Sequence, residues 1–293
     1  MESPNSRILV GTSGYSFEDW RGTFYPERIR SSDMLSFYAS QFSMVEINFT
    51  YYRMPNAQIT RSMERKTPEG FEFVVKLNRM LTHANPVIGS YVPDSGDDSS
   101  DRNRHPAPAD RPASWSLERT IAEFKEGISP LAESGKLKCV LAQFPWGFKN
   151  TSENLRYVLG LAKEFSEYWF VVEFRNAAWA KDDVFETLRE NNIAFCCVDE
   201  PRLEGLFPPI AVSTSSDVSY VRFHGRNAAK WWQHGDSSER YNYLYSLEEL
   251  RPWADKIRLL AENSRRTYVL FNNCTEGKAA QNAKQMQSLL GLI

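Results

Sequence analysis

Short apolar runs recur along the chain, and most of them end in polar or charged residues. A strand buried on both faces of a parallel sheet reads as such a run, and the carboxyl ends of these strands are where binding chemistry collects. The pattern therefore predicts strands and also the place of a site. We expect eight strands, at residues 8–13, 44–50, 71–78, 139–145, 170–176, 194–200, 220–226 and 268–273.

Segments with helical periodicity lie between these runs. They predict helices at 34–42 with Asp33 as the cap, at 114–134, at 152–165, from Asp182 or Asp183 onward, at 247–260 and at 278–290. Alternating strands and helices indicate parallel pairing through crossovers. Eight strands favour one closed (β/α)8 TIM-type barrel, a single domain over 1–293, rather than an open sheet. The link at 201–217 contains three prolines, so we expect no helix after strand 6.

One stretch departs from the alternation. Residues 91–114 are rich in Pro, Asp, Ser and Arg and contain almost no large apolar side chain. Such a segment buries too little surface to offset its ordering entropy. We expect a flexible polar insertion after strand 3, with His105 solvated, and regard a lid over the barrel mouth as the less favoured reading.

Composition excludes several classes of protein. The net charge of -2 argues against a globally basic nucleic-acid binder, although a local basic patch is compatible with it. The four cysteines, Cys139, Cys196, Cys197 and Cys274, form no CxxC pair, which disfavours a zinc ribbon or a disulfide framework. The chain shows neither a signal-peptide pattern nor an apolar stretch that spans a bilayer. We expect a cytoplasmic protein without a membrane partner.

Polar side chains at the strand ends are the candidates for chemistry. Residues two apart in a strand share a face, so Glu46 should point with Asn48 and Glu173 with Arg175. By the same rule, Arg222 and His224 should point together, and so should Arg226 if the strand continues that far. Lys76, Gln143, Asp199, Asn272 and Asn273 also close strands. A barrel would bring all of these to one rim. For a single pair, such as Glu173 with Arg175, a structural salt bridge is the favoured alternative.

The type of ligand can be narrowed by counting. Of the four histidines only His83 and His224 lie near strand ends, which disfavours a histidine-rich zinc cluster. We expect no cofactor and no metal ligands, although carboxylates leave room for a single divalent ion. The cations Lys76, Arg175, Arg222 and Arg226 favour an anionic, phosphate-containing ligand. Gly11 and Gly14 could present backbone N–H groups to an anion, but a tight turn explains them equally well.

Aromatic residues gather after the strands, and two interpretations are open. The set includes Tyr15, Phe17, Trp20, Phe24, Tyr25, Tyr51, Tyr52, Trp146, Trp179, Trp231 and Trp232. They could stack on bases or sugar rings. The favoured interpretation is that they cover the core and hold long loops in place.

Taken together, the motifs resemble a known family. They are GTSGYSFEDWRGTFYP at 11–26, VEINFTYYRMP at 45–55, FEFVVKLNRMLTH at 71–83, VLAQFP at 140–145, VEFRNAAW at 172–179, YVRFHGR at 220–226 and YVLFNN at 268–273. This order over nearly the whole chain resembles the YecE-like proteins, the domain of unknown function 72. The resemblance implies a TIM-type barrel. The barrel of this family looks like that of endonuclease IV and related sugar isomerases, which suggests nucleic-acid binding or processing. The family has no established activity.

The family pattern also marks individual residues of this chain: Gly11, Ser13, Trp20, Glu46, Asn48, Lys76, His83, Glu173, Arg175, Asp199, Arg222, His224, Gly225, Arg226 and Asn272. Of these we assign Glu46, Lys76, Glu173, Asp199 and His224 to catalysis, and the others, apart from Gly225, to ligand binding. The chain departs from the pattern in the 91–114 insertion and in FPW after Gln143.

Three functions follow as hypotheses. The first is a hydrolase or lyase acting on a phosphorylated substrate or a nucleic acid. In it the arginines hold phosphate, Lys76 neutralises developing charge, Glu46 or Glu173 is the base and His224 is the acid. The second is a nucleic-acid-binding module without chemistry, and the third is a metal-dependent enzyme of the sugar isomerase type. The oligomeric state is not predicted.

Overall fold

Eight parallel strands form the centre of the molecule. The computed structural model describes residues 8–83 and 116–293, so the predicted insertion at 91–114 lies outside the described residues. The strands are β1 (Ile8–Thr12), β2 (Met44–Ile47), β3 (Glu72–Lys76), β4 (Leu137–Gln143), β5 (Trp169–Glu173), β6 (Ala194–Asp199), β7 (Val218–Phe223) and β8 (Arg266–Phe271). All eight predicted strands are confirmed. Every residue of β3, β6 and β7 is buried, as strands covered on both faces require.

The strands close into a (β/α)8 TIM-type barrel. Their order is β1-β8-β7-β6-β5-β4-β3-β2, so neighbours in sequence are neighbours in the sheet. The remaining seam, between β1 and β2, is joined at its carboxyl end. There Ser13 pairs with Glu46 in a parallel bridge, and the Gly14 N–H donates to the Glu46 carbonyl at 2.8 Å. The ring is therefore completed at the end where the site was predicted.

Helices alternate with the strands. They are α1 (Met34–Gln41), α2 (Phe49–Tyr52), α3 (Ala57–Arg65), α4 (Arg79–Thr82), α5 (Leu117–Glu133), α6 (Ser152–Glu164), α7 (Asp182–Glu190), α8 (Leu247–Glu262) and α9 (Lys278–Leu290). All six predicted helices are confirmed. Within the described residues, no helix has the combination of length and apolarity that crossing a membrane requires.

Helix α3 is an element that the apolar pattern missed. Of its side chains only Thr60 and Met63 are buried, so the sequence shows almost no apolar stripe. A polar cap and a polar contact hold it instead. The Asn56 side chain accepts from the Gln58 N–H at 2.8 Å, and the Thr60 hydroxyl donates to the Gly127 carbonyl at 2.7 Å. Side-chain hydrogen bonds to backbone groups thus replace apolar periodicity here.

Asp33 occupies the N-cap position of α1, but the predicted cap is wrong. Its side chain makes no capping hydrogen bond, and the backbone of Asp33 has helical angles. A 3-10 turn at Ser31–Asp33 leads into the helix, so the chain is already helical where an extended cap residue would stand. The carboxylate pairs with Arg30 Nε at 2.7 Å instead.

The link after β6 contains no helix, as its prolines predicted. Residues 201–217 run through turns and are fixed by contacts with the neighbouring strands. Leu206 pairs with Asn176 in an antiparallel bridge. The Thr214 hydroxyl accepts from Phe195 N–H at 2.8 Å and donates to the Ile193 carbonyl at 2.7 Å. The start of β6 is thus held by a loop side chain.

Gly11 is a packing glycine, which gives a test of the barrel seam. A Cβ atom there would lie 2.6 Å from the Met44 carbonyl oxygen and sulfur and 3.1 Å from the Tyr38 hydroxyl. We expect Gly11→Ala to lower the free energy of unfolding by about 1–3 kcal/mol, because backbone atoms cannot move aside cheaply. Gly160 in α6 is the control, since a Cβ there meets no atom within 4 Å.

Urea denaturation of both variants checks this prediction. Gly160→Ala should raise stability by about 0.5–1 kcal/mol, the usual gain of alanine over glycine inside a helix. If Gly11→Ala were as stable as the unaltered protein, the seam would accommodate a methyl group at this position, and the tight packing described here would be contradicted.

Candidate functional site at the barrel mouth

A buried arginine stands at the centre of the barrel mouth. Arg222, at 1% exposure, lies on β7 and contacts residues that follow or end four other strands. Its Nη1 donates to Glu173 Oε2 at 2.7 Å and to Gln143 Oε1 at 3.2 Å. Its Nη2 donates to Glu46 Oε1 at 2.6 Å and to Ser13 Oγ at 3.3 Å. For these five residues the structure brings strand-end groups together, as predicted.

We call the mouth cluster the set of Ser13, Glu46, Lys76, Gln143, Glu173, Arg175, Glu200, Arg222 and His224. Within it, Glu46 has both carboxylate oxygens occupied. Oε1 accepts from Arg222, and Oε2 accepts from the Tyr220 hydroxyl at 2.6 Å. Burial and the neighbouring Glu46 carboxylate raise the pKa of Tyr220 well above its ordinary value. Tyr220 therefore remains a hydrogen-bond donor, and each oxygen of Glu46 accepts from a buried side chain of the barrel.

Glu173 is more densely surrounded still. Oε1 lies 2.9 Å from Arg175 Nε and 3.1 Å from His224 Nε2, while Oε2 accepts from Arg222 and lies 3.6 Å from the Cys196 thiol. Burial raises the pKa of Glu173, but Arg222 and then Arg175 outweigh it and hold that pKa well below its ordinary value. The carboxylate stays ionised and is a weak base. This environment disfavours the general-base role that we expected for Glu173.

His224 is neutral and orients the cluster. The Asn272 side-chain amide lies 3.1 Å from Nδ1, and Nε2 lies 3.1 Å from Glu173. With the amide nitrogen donating to Nδ1, the ring proton sits on Nε2 and is donated to Glu173. Burial and then Arg175 lower the pKa of His224 well below its ordinary value. A neutral imidazole is no acid at neutral pH, which disfavours the acid role predicted for His224.

Glu200 is a member of the cluster that sequence reasoning missed. Its Oε2 accepts from Arg175 Nη1 at 2.6 Å, and its Oε1 accepts from the Phe207 N–H at 3.2 Å. Burial raises the pKa of Glu200 to about 7, since Arg175 offsets the desolvation only partly. The residue closes the run AFCCVDE, so the signal was the second of two adjacent acidic residues after an apolar strand.

Lys76 is the one cation of the cluster without a carboxylate partner among residues 8–83 and 116–293. Its side chain is 9% exposed, and its Nζ lies 4.1 Å from the centroid of the Tyr51 ring. Burial and then the positive charge of Arg222 lower its pKa to about 7, against the opposite effect of Glu173 and Glu46. Lys76 and Glu200 are thus the two cluster members whose pKa values lie near neutrality.

His83 and Asn48 lie on the Lys76 side of the mouth. His83 is 1% exposed, and its Nε2 lies 3.0 Å from the hydroxyl of Tyr51, the ring beneath the lysine. Asn48 follows β2, as Lys76 ends β3. Its Oδ1 is buried and has no hydrogen-bond partner within the described part of the chain. A buried amide oxygen normally finds a donor, which makes Asn48 a candidate for ligand contact.

Asp199 and Arg226 are not brought into the cluster, contrary to our expectation. Both Asp199 oxygens are occupied, by Arg226 at 2.8 and 2.7 Å, by the Tyr245 hydroxyl at 2.8 Å and by Trp253 Nε1 at 2.7 Å. Trp253 lies on α8, so Asp199 faces the helix layer. Arg226 also pairs with Glu249 at 3.0 Å. β7 ends at Phe223 and Gly225 has a φ of 85°, so the strand does not continue to Arg226. The condition for a face shared by Arg222 and Arg226 is therefore not met.

Two more of the predicted ligand-binding residues pack the structure. Trp20 is completely buried; its Nε1 donates to the Cys274 carbonyl, which ties the first loop to the last. Gly11 lies against Met44 and Tyr38, as described above. Neither residue presents a surface to a ligand. Ser13, Asn48, His83, Arg175, Arg222 and Asn272 are the predicted binding residues that lie in or beside the cluster.

Most aromatic residues after the strands cover the core, as favoured above, but two stand at the rim. Trp232 is 40% exposed, and its ring centroid lies 6.1 Å from that of Trp146 at an angle of 72°. Trp146 Nε1 donates to the Gly205 carbonyl at 2.9 Å. Lys149 Nζ lies 3.4 Å from the centroid of the Trp146 ring. This rim could stack on a planar ring.

The donor geometry does not favour a metal centre. In the part of the chain that the structure describes, no three His, Cys, Asp or Glu side chains are grouped so as to hold an ion. Glu46 and Glu173 are the carboxylates nearest to such a role, and their oxygens already accept from Arg222. A metal-dependent isomerase therefore finds no ready ligand set among these residues.

The chain resembles proteins known from sequence and structure. The family model described as "Protein of unknown function DUF72" matches residues 9–292. UPF0759 protein YunF of Bacillus subtilis is 29% identical over 97% of the chain and 95% of its own length. The DUF72 family protein TM1631 of Thermotoga maritima has 39% identity and a TM-score of 0.81, covering 97% of this chain and 99% of that one. A DUF72 family protein of Enterococcus faecalis, EF0366, has 28% identity and a TM-score of 0.80, covering 98% and 96%.

Proposed function

The chain belongs to the DUF72 family, whose function is unknown, and from its own site we propose that it binds a small anionic, phosphate-containing ligand at the barrel mouth and transfers a proton to it. The proposal depends on one observation, the absence of a carboxylate partner for Lys76 among the described residues. Arg222 and Arg175 are already paired with Glu46, Glu173 and Glu200. Lys76 has no such partner among the described residues, so an anion entering the mouth supplies the missing charge.

The effect of the anion on Lys76 has a definite sign. Without a ligand, burial and Arg222 favour the neutral amine and place the pKa of Lys76 at about 7. A phosphate beside Nζ favours the ammonium form and raises that pKa. Binding at pH 7 to 8 therefore draws a proton from solvent onto Lys76.

The ammonium formed in this way is also available as an acid. If the ligand is a phosphate ester, water attacks phosphorus and passes one of its protons to a phosphate oxygen, the bond to the leaving oxygen breaks, and Lys76 gives its proton to that leaving oxygen. Glu200, with its pKa at about 7, is the second group able to exchange a proton at this pH. Glu173 holds Arg175 and Arg222 in position, and His224 orients Glu173. Hydrolysis of a phosphate ester is thus the reaction that these residues support best.

Calorimetric titration with inorganic phosphate tests the proposal. We expect Lys76→Met to weaken binding at least tenfold, and the binding enthalpy of the unaltered protein to depend on the ionisation enthalpy of the buffer, because a proton is taken up. Lys163→Met is the control for the loss of one positive charge, since Lys163 borders the cavity at the opposite, amino end of the barrel. Equal phosphate affinity in Lys76→Met and the unaltered protein would refute the proposal.

A nucleic acid is the second candidate ligand, and the rim pair Trp146 and Trp232 with Lys149 is the observation that favours it. A single-stranded oligonucleotide titrated at two salt concentrations separates the candidates. Binding that falls steeply with salt and is unchanged by Lys76→Met would favour a nucleic-acid-binding surface. If the mouth is a small-ligand site, we expect no such binding of the oligonucleotide.

Turnover of p-nitrophenyl phosphate tests the proposed hydrolysis. Turnover by the unaltered protein that is lost in Lys76→Met would support it.

A further inference from the structure

We propose that Lys76 is a nucleophilic amine that captures an aldehyde or ketone bearing an anionic group as an imine, an inference that rests on the proposed anion site and names its substrate class. The geometry of the amine carries the proposal. Lys76 ends β3 on one side of the mouth, within electrostatic reach of Arg222, Glu173 and Glu46. Its Nζ stands over the face of Tyr51 at 4.1 Å from the ring centroid. Within the described residues no oxygen accepts a hydrogen bond from it.

A second buried lysine shows what a structural lysine looks like in this molecule. Lys136 is 9% exposed, as Lys76 is. Its Nζ donates to the Glu64 carbonyl at 2.7 Å and to the Thr67 carbonyl at 2.8 Å, and it lies 3.2 Å from the Glu64 carboxylate. Oxygens of Glu64 and Thr67 therefore accept hydrogen bonds from this amine. The two lysines are equally exposed, but their amines have different contacts.

Burial and the charges that face Lys76 keep its amine unprotonated in a fraction of the molecules. Arg222 on β7 and Arg175 after β5 oppose a further positive charge, whereas Glu173 on β5 and Glu46 on β2 favour it; Tyr51 on α2 supplies the ring face. With burial as the largest cause, the pKa of Lys76 falls to about 7. About half of the amine is therefore free near neutral pH, which is the state that attacks a carbonyl carbon.

The reaction balances without any further reagent. The amine nitrogen attacks the carbonyl carbon and forms a C–N bond, while the C=O π electrons move to oxygen. A proton passes from nitrogen to that oxygen and gives the carbinolamine. Loss of the hydroxyl with one more proton releases water and leaves a protonated imine. This species is cationic, so it presents to the ligand's phosphate or carboxylate the same positive charge as the ammonium.

Reductive trapping with pyridoxal 5'-phosphate, an aldehyde that carries a phosphate, tests the inference. The full-length protein is incubated with the probe and sodium cyanoborohydride, and the modified peptides are mapped by mass spectrometry. We expect the adduct at Lys76 to form at least tenfold faster than at Lys136, with a half-maximal rate near pH 7. Lys76→Arg, which keeps the charge, should lose this adduct while retaining its circular dichroism spectrum.

The possible outcomes distinguish a failure of the imine proposal from a failure of the proposed anion site. Labelling spread over exposed lysines with none at Lys76, while inorganic phosphate still binds, would overturn the imine and leave the proposed function intact. An adduct at Lys76 that inorganic phosphate does not slow would support the nucleophile and count against the anion site. Labelling of Lys136 as fast as Lys76 would overturn the inference, because burial alone would then explain the reactivity.

Discussion

Replacing Arg222 by methionine is expected to lower the free energy of unfolding by about 3–5 kcal/mol, among the largest effects of any single substitution in this chain. The guanidinium forms bonds of 2.6 and 2.7 Å with Glu46 and Glu173, and all three side chains are at most 1% exposed. Without it two carboxylates remain buried with their main counter-charge removed. Glu173 keeps Arg175, but Glu46 keeps only the Tyr220 hydroxyl.

Urea unfolding of matched variants checks this expectation. Arg258→Met breaks a pair of similar length, 2.8 Å to Asp255, whose partners are 41% and 78% exposed. It also removes a hydrogen bond to the Leu289 carbonyl, and together these losses should cost less than about 2 kcal/mol. The triple variant Arg222→Met, Glu46→Gln, Glu173→Gln should recover much of the loss, because the two carboxylates that lost their counter-charge are removed as well. A cost for Arg222→Met no greater than for Arg258→Met would contradict the central role of the guanidinium.

The second large effect has the opposite sign: Lys76→Met should stabilise the protein by roughly 2–4 kcal/mol at pH 7. The pKa of Lys76 falls from 10.5 to about 7 on folding, so the unfolded chain binds the proton more tightly. The resulting cost is fully present below pH 7 and disappears as the pH rises towards 10.5. The advantage of the variant should therefore be largest at pH 7 and below and shrink between pH 7 and 10.

Thermal and urea unfolding between pH 6 and pH 10 measure this gain. Lys136→Met is the control, because Lys136 is equally buried but donates to three backbone and side-chain oxygens of Glu64 and Thr67, so the variant should be destabilised. If Lys76→Met were less stable than the unaltered protein, or if its gain did not depend on pH, Lys76 would be a satisfied structural residue. A residue that weakens the fold while occupying the mouth is typical of a functional site.

The barrel could be predicted from the sequence because its strands are buried on both faces. The run of β6, for example, is buried throughout and apolar up to its last residue, Asp199, and each run ends where the barrel places its chemistry. The same pattern could not reveal α3, whose buried side chains are only Thr60 and Met63. The cap predicted at Asp33 failed for a local reason, since a preceding 3-10 turn removes the extended residue that a cap needs.

The sequence predicted where the candidate site lies, but not which of its charged side chains pair with one another. Residue types put Glu46, Glu173, Arg222 and His224 at one rim, and the structure confirms it. Which strand-end residue faces inward depends on one step of register. Asp199 was chosen where Glu200 is the inward group, and Gly225 at φ 85° turns Arg226 away. Nor could the sequence show that the arginines are already neutralised, which leaves Lys76 as the distinctive cation.

The parallel bridge between Ser13 and Glu46 has a consequence for how this protein can evolve and be engineered. The two residues that join the first and second strands are also the two that contact Arg222 from that side. The backbone of these two residues joins the strands and their side chains contact Arg222, so a shift of this seam would also move the groups around the guanidinium. A designer who wishes to graft a new activity here would do better to vary the surrounding loops, and to leave this joint untouched, than to redesign the floor of the pocket.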